Sequence, residues 1–375
     1  MNLTSKWLWV TFLVATVVFA LAWDQRDFWL LVAGSGFVFS GLAIALPRIR
    51  TFSTVSASVV FSVALAELVL SSMPLHSASS GASFDQDYSY ASGEYFDVLN
   101  GSSLGYTIRP GSYDARKVTQ DGGEIYSVTY EIGPDGYRKS ANVNDAQAFL
   151  FGGSYAFGEG LDRAATLSSF LTASGMKTKS YGVHGYGMHQ SLKQIENGLG
   201  ASDAGEINIA LTSPFHAFRS SCQVAQSAGS VFYQVENGVA VESGLCPGGG
   251  LIGRVLSQSE IWNIILGISS PSRALNNDDI ERYLAILKSM DKVSRDNGGQ
   301  LLVAYIDGEK TLDGTDWSDS KIKNHLVSEG MRVVDVSLKE RNLEYSLHEL
   351  DRHPNKLANE LRARLIISHL SSDQN

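Results

Sequence analysis

At 375 residues the chain is long enough for a full catalytic domain plus a smaller unit, and 44% hydrophobic against 18% charged residues is low in charge for a purely soluble protein. The formal net charge of −9, with no Lys/Arg cluster and no interleaved aromatic stripe, argues against a nucleic-acid partner. No pair of Cys or His has zinc-ligand spacing, so no structural metal is expected, and no cofactor either.

The excess apolar content lies at the start. Segments 7–23, 28–46 and 52–73 are nearly uncharged, and each is close to the roughly 20 residues needed to cross a hydrocarbon core of about 30 Å. They read as three transmembrane helices, since a cleaved signal peptide explains the first alone. Lys6 precedes the first, Arg48 and Arg50 lie between the second and third, and the first loop is not net positive. The amino terminus and the Arg48/Arg50 loop are therefore expected in the cytoplasm, and everything after the third segment outside. Glu67 is expected near the outer interface of the third segment.

Residues 1–75 thus form the anchor and 76–100 a linker, whose Ser/Ala/Gly/Asp run at 77–87 lacks periodicity. Residues 101–145 follow as a β-rich lead-in. Leu104-Gly-Tyr-Thr-Ile-Arg-Pro110 and Ile125-Tyr-Ser-Val-Thr-Tyr-Glu-Ile132 read as short strands, with a turn at Gly133-Pro-Asp-Gly136.

From 146 to 375 the period changes. Ala148-Phe-Leu-Phe-Gly-Gly-Ser154-Tyr-Ala-Phe-Gly-Glu-Gly160 is an apolar run ending in two glycines and a serine, which reads as a buried strand that presents Ser154 at its carboxyl end. Helical spacing at 166–174, a strand at 177–183, a helix at 188–199 and a strand at 207–211 follow. A capped helix at 278–296, a strand at 301–306, a helix at 319–328, a strand at 333–336 and a closing helix at 356–369 complete the chain. Strands alternating with helices predict a parallel sheet. Asn237-Gly238 between alternating apolar residues marks a hairpin inside an insertion at about 219–271. Cys222 and Cys246 both fall in that polar, Gly/Ser-rich stretch, where an oxidising compartment would join them.

A serine nucleophile needs a base and a group that orients the base. Asp351-Arg-His353-Pro-Asn355 reads as an extended loop before the last helix. Asp351 two residues from His353 can hold the imidazole from behind, and a doubly wound sheet can bring this loop to the edge that carries Ser154. Ser154, His353 and Asp351 are the candidate triad. His184 and His189 flank a glycine turn, His348 lacks a carboxylate at matching spacing apart from Glu349, and Asp307 and Asp335 are expected to serve loop backbone.

On Phe151-Gly-Gly-Ser154-Tyr-Ala-Phe-Gly-Glu-Gly160, Tyr181-Gly-Val-His-Gly-Tyr-Gly187 and Asp351-Arg-His353-Pro-Asn355, the span from about residue 105 to the end resembles the SGNH/GDSL hydrolase superfamily, in its membrane-anchored bacterial branch. The resemblance implies a flavodoxin-like three-layer α/β/α domain. It implies Ser154 as nucleophile, His353 as general base then acid, and Asp351 as its orienter. The oxyanion donors would be the N–H of Ser154 and of Gly185, with Gly187 as second choice. Three departures stand out. Gly153 replaces the usual Asp of the nucleophile block, Asp351-x-His353 is shorter than Asp-x-x-His, and no Gly-x-Asn succeeds the third strand. That position holds Thr212-Ser-Pro-Phe-His216-Ala-Phe-Arg219, where His216 or Arg219 could donate in place of the missing Asn; Asn276-Asn277-Asp278 reads as a helix cap.

The expected activity is that of a membrane-tethered serine esterase or deacetylase, its α/β domain periplasmic or extracellular. Its substrate would be an acyl ester or an acylated saccharide, and its partners those of envelope polysaccharide modification. The alternatives are an O-acetyltransferase that passes the acyl group to an envelope polysaccharide, and a non-catalytic binding protein that kept the fold.

Overall fold

The computed structural model describes residues 37–38, 53, 55–62, 95–97, 103–119, 122–140, 145–224, 227–246, 274–338 and 343–372. The chain divides into two compact units, Met1–Gly81 with Gly250–Pro271, and Ala82–Gly249 with Ser272–Asn375. In the first, residues 55–62 are helical, and Phe37 and Phe61 meet edge to face with centroids 5.2 Å apart. The rest of the three apolar segments, Glu67, the linker except residues 95–97 and the part of the insertion beyond 246 lie outside the described residues; 95–97 are not free linker, since Tyr95 is buried and Phe96–Asp97 form a strand paired to Thr107–Ile108. No described helix is long and apolar enough to cross a membrane.

The second unit opens with β1 (Phe96–Asp97) paired to β2 (Thr107–Ile108), then β3 (Gly111–Val118) paired antiparallel to β4 (Glu124–Ile132). β4 coincides with the strand expected at 125–132, whereas β3 is an additional strand whose polar residues face solvent between the buried Tyr113, Ala115 and Lys117. That alternation is the period-two signature of a half-buried strand.

Five parallel strands build the main sheet: β5 (Ala148–Phe151), β6 (Thr178–Ser180), β7 (Ile207–Thr212), β10 (Gln300–Tyr305) and β11 (Arg332–Asp335). Their order, β11-β10-β7-β5-β6, is that of a flavodoxin-like doubly wound sheet. β6 is shorter than the predicted segment 177–183, although backbone hydrogen bonds from Tyr181 N–H to the Leu150 carbonyl (2.8 Å) and from Val183 N–H to the Gly152 carbonyl (3.2 Å) carry the chain alongside β5 up to the glycine turn. The chain moves from β5 outward to β6 and then back across to β7, so the switch point lies between the carboxyl ends of β5 and β7. Ser154 follows the first of these and His216 the second.

Both sheet faces are covered, which is why the central strands β5, β7 and β10 are largely apolar runs rather than alternating ones, while the edge strand β6 (Thr178-Lys179-Ser180) is polar. Ala148 and Leu150 pack on α2 (Leu167–Ala173) and α7 (Lys356–Ser372) through Leu167, Leu171, Ala363 and Ile366. Phe149 and Phe151 join the opposite core with α3 (Met188–Glu196), α5 (Asn277–Asp296) and α6 (Asp319–Ser328). Lead-in residues Tyr113, Tyr126, Tyr130 and Tyr137 belong to the same cluster, so the lead-in shares the core. Two more short helices, α1 (Ser154–Phe157) and α4 (Phe215–Ser220), stand at the carboxyl edge.

Sequence signals explain the helix boundaries. Asn276 accepts the Asp279 N–H at 2.9 Å while Asp279 accepts the Asn276 N–H at 3.1 Å, a reciprocal cap that starts α5. Asn355 caps α7 by accepting the Ala358 N–H at 3.0 Å. Between β7 and α5 the hairpin β8 (Val231–Glu236) and β9 (Val239–Leu245) turns at Asn237 (φ 52°) and Gly238 (φ 75°), the positive φ pair of a two-residue hairpin. Cys222 and Cys246 are joined across this connection, with Cα atoms 5.4 Å apart.

Candidate active site

The chain must turn sharply after β5, and glycine lets it. Gly152 sits at φ 148°, where a Cβ would come within 2.8 Å of the Leu211 carbonyl of β7. Gly153 precedes α1 and leaves open a space that a Cβ would fill, 2.5 Å from Arg219 Nη1 and 3.4 Å from His216 Nε2. Ser154 is thereby the first residue of α1, and its N–H belongs to a turn without an intrahelical acceptor.

Asp351-Arg-His353 lies in a strand rather than a loop. β13 (Asp351–Pro354) pairs antiparallel with β12 (Ser346–His348), and strand geometry puts positions 351 and 353 on one side. His353 Nε2 is 2.8 Å from Ser154 Oγ, and His353 Nδ1 is 2.5 Å from Asp351 Oδ1, which also accepts the His353 backbone N–H at 2.9 Å. These contacts set the tautomer: Nδ1 carries a proton toward Asp351, and neutral Nε2 accepts from the serine hydroxyl. Burial pushes the Asp351 carboxyl up, but the hydrogen bond and charge of His353 and the ammonium of Lys117 outweigh it and hold the group well below the usual carboxylate range. For His353 burial opposes the charged ring, yet Glu159 and Asp351 together raise its pKa above the ordinary value.

Two of these charged groups escaped the sequence reading. Lys117, on the buried face of β3, places Nζ 2.7 Å from Asp351 Oδ2, with both side chains almost fully buried. Its signal was Tyr113-x-Ala115-x-Lys117, once β3 is recognised as a strand. Glu159, inside the nucleophile motif itself, lies 2.7 Å from His184 Nδ1 and 3.4 Å from His353 Nε2. With His353 neutral, Lys117 and Arg219 balance Asp351 and Glu159, so a proton arriving on His353 would be matched by a negative charge arriving on a substrate oxygen.

The candidate oxyanion donors separate. Gly187 N–H donates to Gln190 Oε1 at 2.9 Å in the cap of α3, which takes that group out of the candidate set. Gly185, at φ 75°, stays in the loop between β6 and α3. His216 is oriented by its own helix: Nδ1 accepts the Ser213 N–H at 3.3 Å and lies 3.1 Å from Thr212 Oγ1, which leaves the ring proton on Nε2, toward Gly153. Burial, then Arg219 and His189, push the His216 pKa well below its ordinary value, so the ring is neutral. Arg219 donates from Nη1 to the Tyr186 carbonyl at 2.7 Å and fixes the glycine loop against α4.

Lead-in residues brace the loop that follows the nucleophile. Arg138, buried, donates to the carbonyls of Phe157 (3.1 Å), Gly158 (2.6 Å) and Leu161 (2.5 Å), and the Gly160 N–H donates to Tyr130 Oη at 2.8 Å. His189 is a core residue, 2.8 Å from Ser230 Oγ, its pKa pushed down to about 3 by burial and Arg219. His348 accepts the Leu350 N–H, and Asp307 and Asp335 share Lys323 at 2.8 and 2.5 Å. Among the described residues no group of three or more His, Cys, Asp or Glu is placed to hold a metal ion.

A cavity of about 460 Å³ opens over Ser154 and His353, walled by His216 and Arg219, with the exposed side chains of Phe215 and Leu350 at its rim. A larger hollow of about 770 Å³ near Gln147, Ile207 and Arg332 lies at the opposite, amino edge of the sheet and holds none of the triad.

No family model matches the chain, and no curated protein matches it. Among solved structures it is similar to a member of the lipolytic protein G-D-S-L family from Veillonella parvula, at 12% identity and a TM-score of 0.34 over 59% of this chain and 96% of that one. It is also similar to a putative acylhydrolase from Bacteroides fragilis, at 10% identity and a TM-score of 0.34 over 63% and 92%. Such distant likenesses carry no chemistry from those proteins to this one, and the functional reading rests on the site.

Proposed function

We propose that the protein is a serine hydrolase that cleaves acyl esters through Ser154, His353 and Asp351. The observation that carries this is the unbroken line Ser154 Oγ, His353 Nε2, His353 Nδ1, Asp351 Oδ1, at 2.8 and 2.5 Å. In the proposed reaction Oγ attacks the ester carbonyl carbon while its proton passes to Nε2. The carbonyl oxygen becomes an oxyanion, received by the Ser154 N–H, Gly185 and His216 Nε2–H, with Arg219 close by. Collapse breaks the bond to the leaving oxygen, which takes the proton from Nε2. Water then attacks the acyl-serine carbonyl carbon and gives a proton to Nε2; collapse breaks the acyl–Oγ bond, Oγ takes the proton back from Nε2, and the acid leaves free Ser154.

The catalytic unit is also tethered in this proposal. The apolar segments 7–23, 28–46 and 52–73 and their flanking charges support an anchor in the cell membrane with the catalytic unit outside the cytoplasm. Substrates there would be acyl esters, acylated envelope saccharides among them.

The test is hydrolysis of p-nitrophenyl acetate by the full chain in detergent, wild type against Ser154→Ala and His353→Ala. Each variant is expected to lose a factor of about a thousand or more, and to lose it non-additively. Equal turnover by all three rules the triad out.

A further inference from the structure

We infer that Glu159 serves His353 as a second carboxylate, holding the imidazolium at the ring edge opposite Asp351, and that His184 and Tyr95 fix it there as positioning residues. The inference rests on reading Ser154, His353 and Asp351 as the catalytic triad. Asp351 meets His353 at Nδ1, the nitrogen that keeps its proton throughout. The proton that comes and goes arrives at Nε2, and the carboxylate nearest that atom is Glu159, at 3.4 Å against 2.8 Å for Ser154 Oγ. Glu159 is thus too far to displace the serine and close enough to stabilise the charge that forms.

Its placement is built. The Tyr95 hydroxyl lies 3.0 Å from His184 Nε2 and donates to it, which leaves His184 Nδ1–H to donate to Glu159 at 2.7 Å. The Tyr106 hydroxyl donates to the His184 carbonyl and holds the loop. All three members are buried, and a carboxylate removed from water persists only where charges and donors compensate it. Burial raises the Glu159 carboxyl, but His353 and His184 overcome this and hold it down to about 2, so it stays ionised across the working range.

The groups facing His353 are Asp351 and Tyr155 on its flanks, Ser154 and Glu159 from the nucleophile segment, and Lys117 from β3. Those facing Glu159 are His184, His353 and Asp351, with Tyr95 from just before β1, Tyr106 and Tyr130 from the lead-in and Arg219 from α4 at longer range. Around His353, Lys117 opposes a positive ring and Asp351 favours it from the Nδ1 side; Glu159 adds a second negative charge on the Nε2 side.

The test titrates His353 directly, in full-length protein with 13C-labelled histidine and Ser154→Ala to silence turnover, the resonance being assigned by its loss in His353→Asn. Glu159→Gln is expected to lower the His353 midpoint by about one unit or more. In the Ser154-intact enzyme the acid limb of kcat/KM should move down by the same amount. Glu159→Asp, which withdraws the charge without removing it, should move both by less in the same direction, and it decides the matter if Glu159→Gln does not fold. A midpoint that stays or rises overturns the inference. Because this readout needs no turnover, it stands apart from failure of the triad, which would show as activity retained by Ser154→Ala.

Discussion

Thr212 and Ser213 engage Nδ1 of His216, so that neutral ring presents its proton toward Gly153, whereas His353, one pocket wall away, is set to gain a proton. A neutral donor suits a developing oxyanion, because it stabilises charge without surrendering a proton. His216→Ala should therefore lower kcat by roughly a hundred- to a thousandfold with little change in KM. Steady-state kinetics on p-nitrophenyl acetate checks this, and an unchanged kcat would place the oxyanion elsewhere. Lys117 argues in the opposite sense from Glu159. Its ammonium neutralises part of Asp351 and lowers the His353 pKa, so Lys117→Met should shift the acid limb of kcat/KM upward. It also strands a buried carboxylate, at a cost of about 3 kcal/mol in urea unfolding. The single residues split by legibility. Ser154, His353 and Asp351 could be read because each sits in a short motif, while Lys117 could not, since its role depends on an element more than two hundred positions away in the chain.

Arg138 spans the gap between the lead-in and the short helix α1, reaching three consecutive-turn carbonyls with one planar group stacked 4.7 Å over the Tyr130 ring. A four-residue helix cannot hold itself, as nucleation costs more than one turn returns, so α1 and Ser154 depend on such outside donors. Lys carries its donors at one point and cannot copy the fork. Arg138→Lys should thus leave at least one buried carbonyl unmatched and lose about 2 kcal/mol or more by urea denaturation, with activity falling alongside. A variant as stable as wild type would mean the carbonyls find water instead. The same logic explains which elements the sequence disclosed. α5 and α7 carry their own caps in Asn276 and Asn355, and β5 and β7 their unbroken apolar runs, so local rules sufficed. β3 and the β12–β13 pair take their shape from partners, and a polar-apolar stretch of eight residues beside a charged loop gave no local sign of them.

At the scale of the catalytic unit, the doubly wound order explains why residues 199 positions apart meet: the switch point between β5 and β7 opens a crevice, and the last hairpin returns to its rim. Counting strands and helices was enough to show that much. It could not show that the crevice is closed from the side by the lead-in and the short strand before it, which contribute Tyr95 to the His184 pair, Lys117 to Asp351, Tyr130 and Arg138 to the nucleophile loop. Periodicity can place a strand but not its tertiary partner, and a β-rich segment before a complete α/β pattern reads as an addition. Its tyrosines nonetheless bury themselves in the same core as Phe157, Tyr181 and Tyr186, so lead-in and sheet should unfold as one. A chain beginning at residue 146 would hold the whole triad and all five parallel strands, yet leave Asp351 without Lys117, the 157–161 loop without Arg138, and an apolar face uncovered. It is expected to give no cooperative urea transition by circular dichroism and no labelling of Ser154 by a fluorophosphonate, while a chain beginning at residue 82 shows both. If the shorter chain unfolds cooperatively and is labelled at the rate of the longer one, the sheet alone makes the site and the lead-in is only its neighbour.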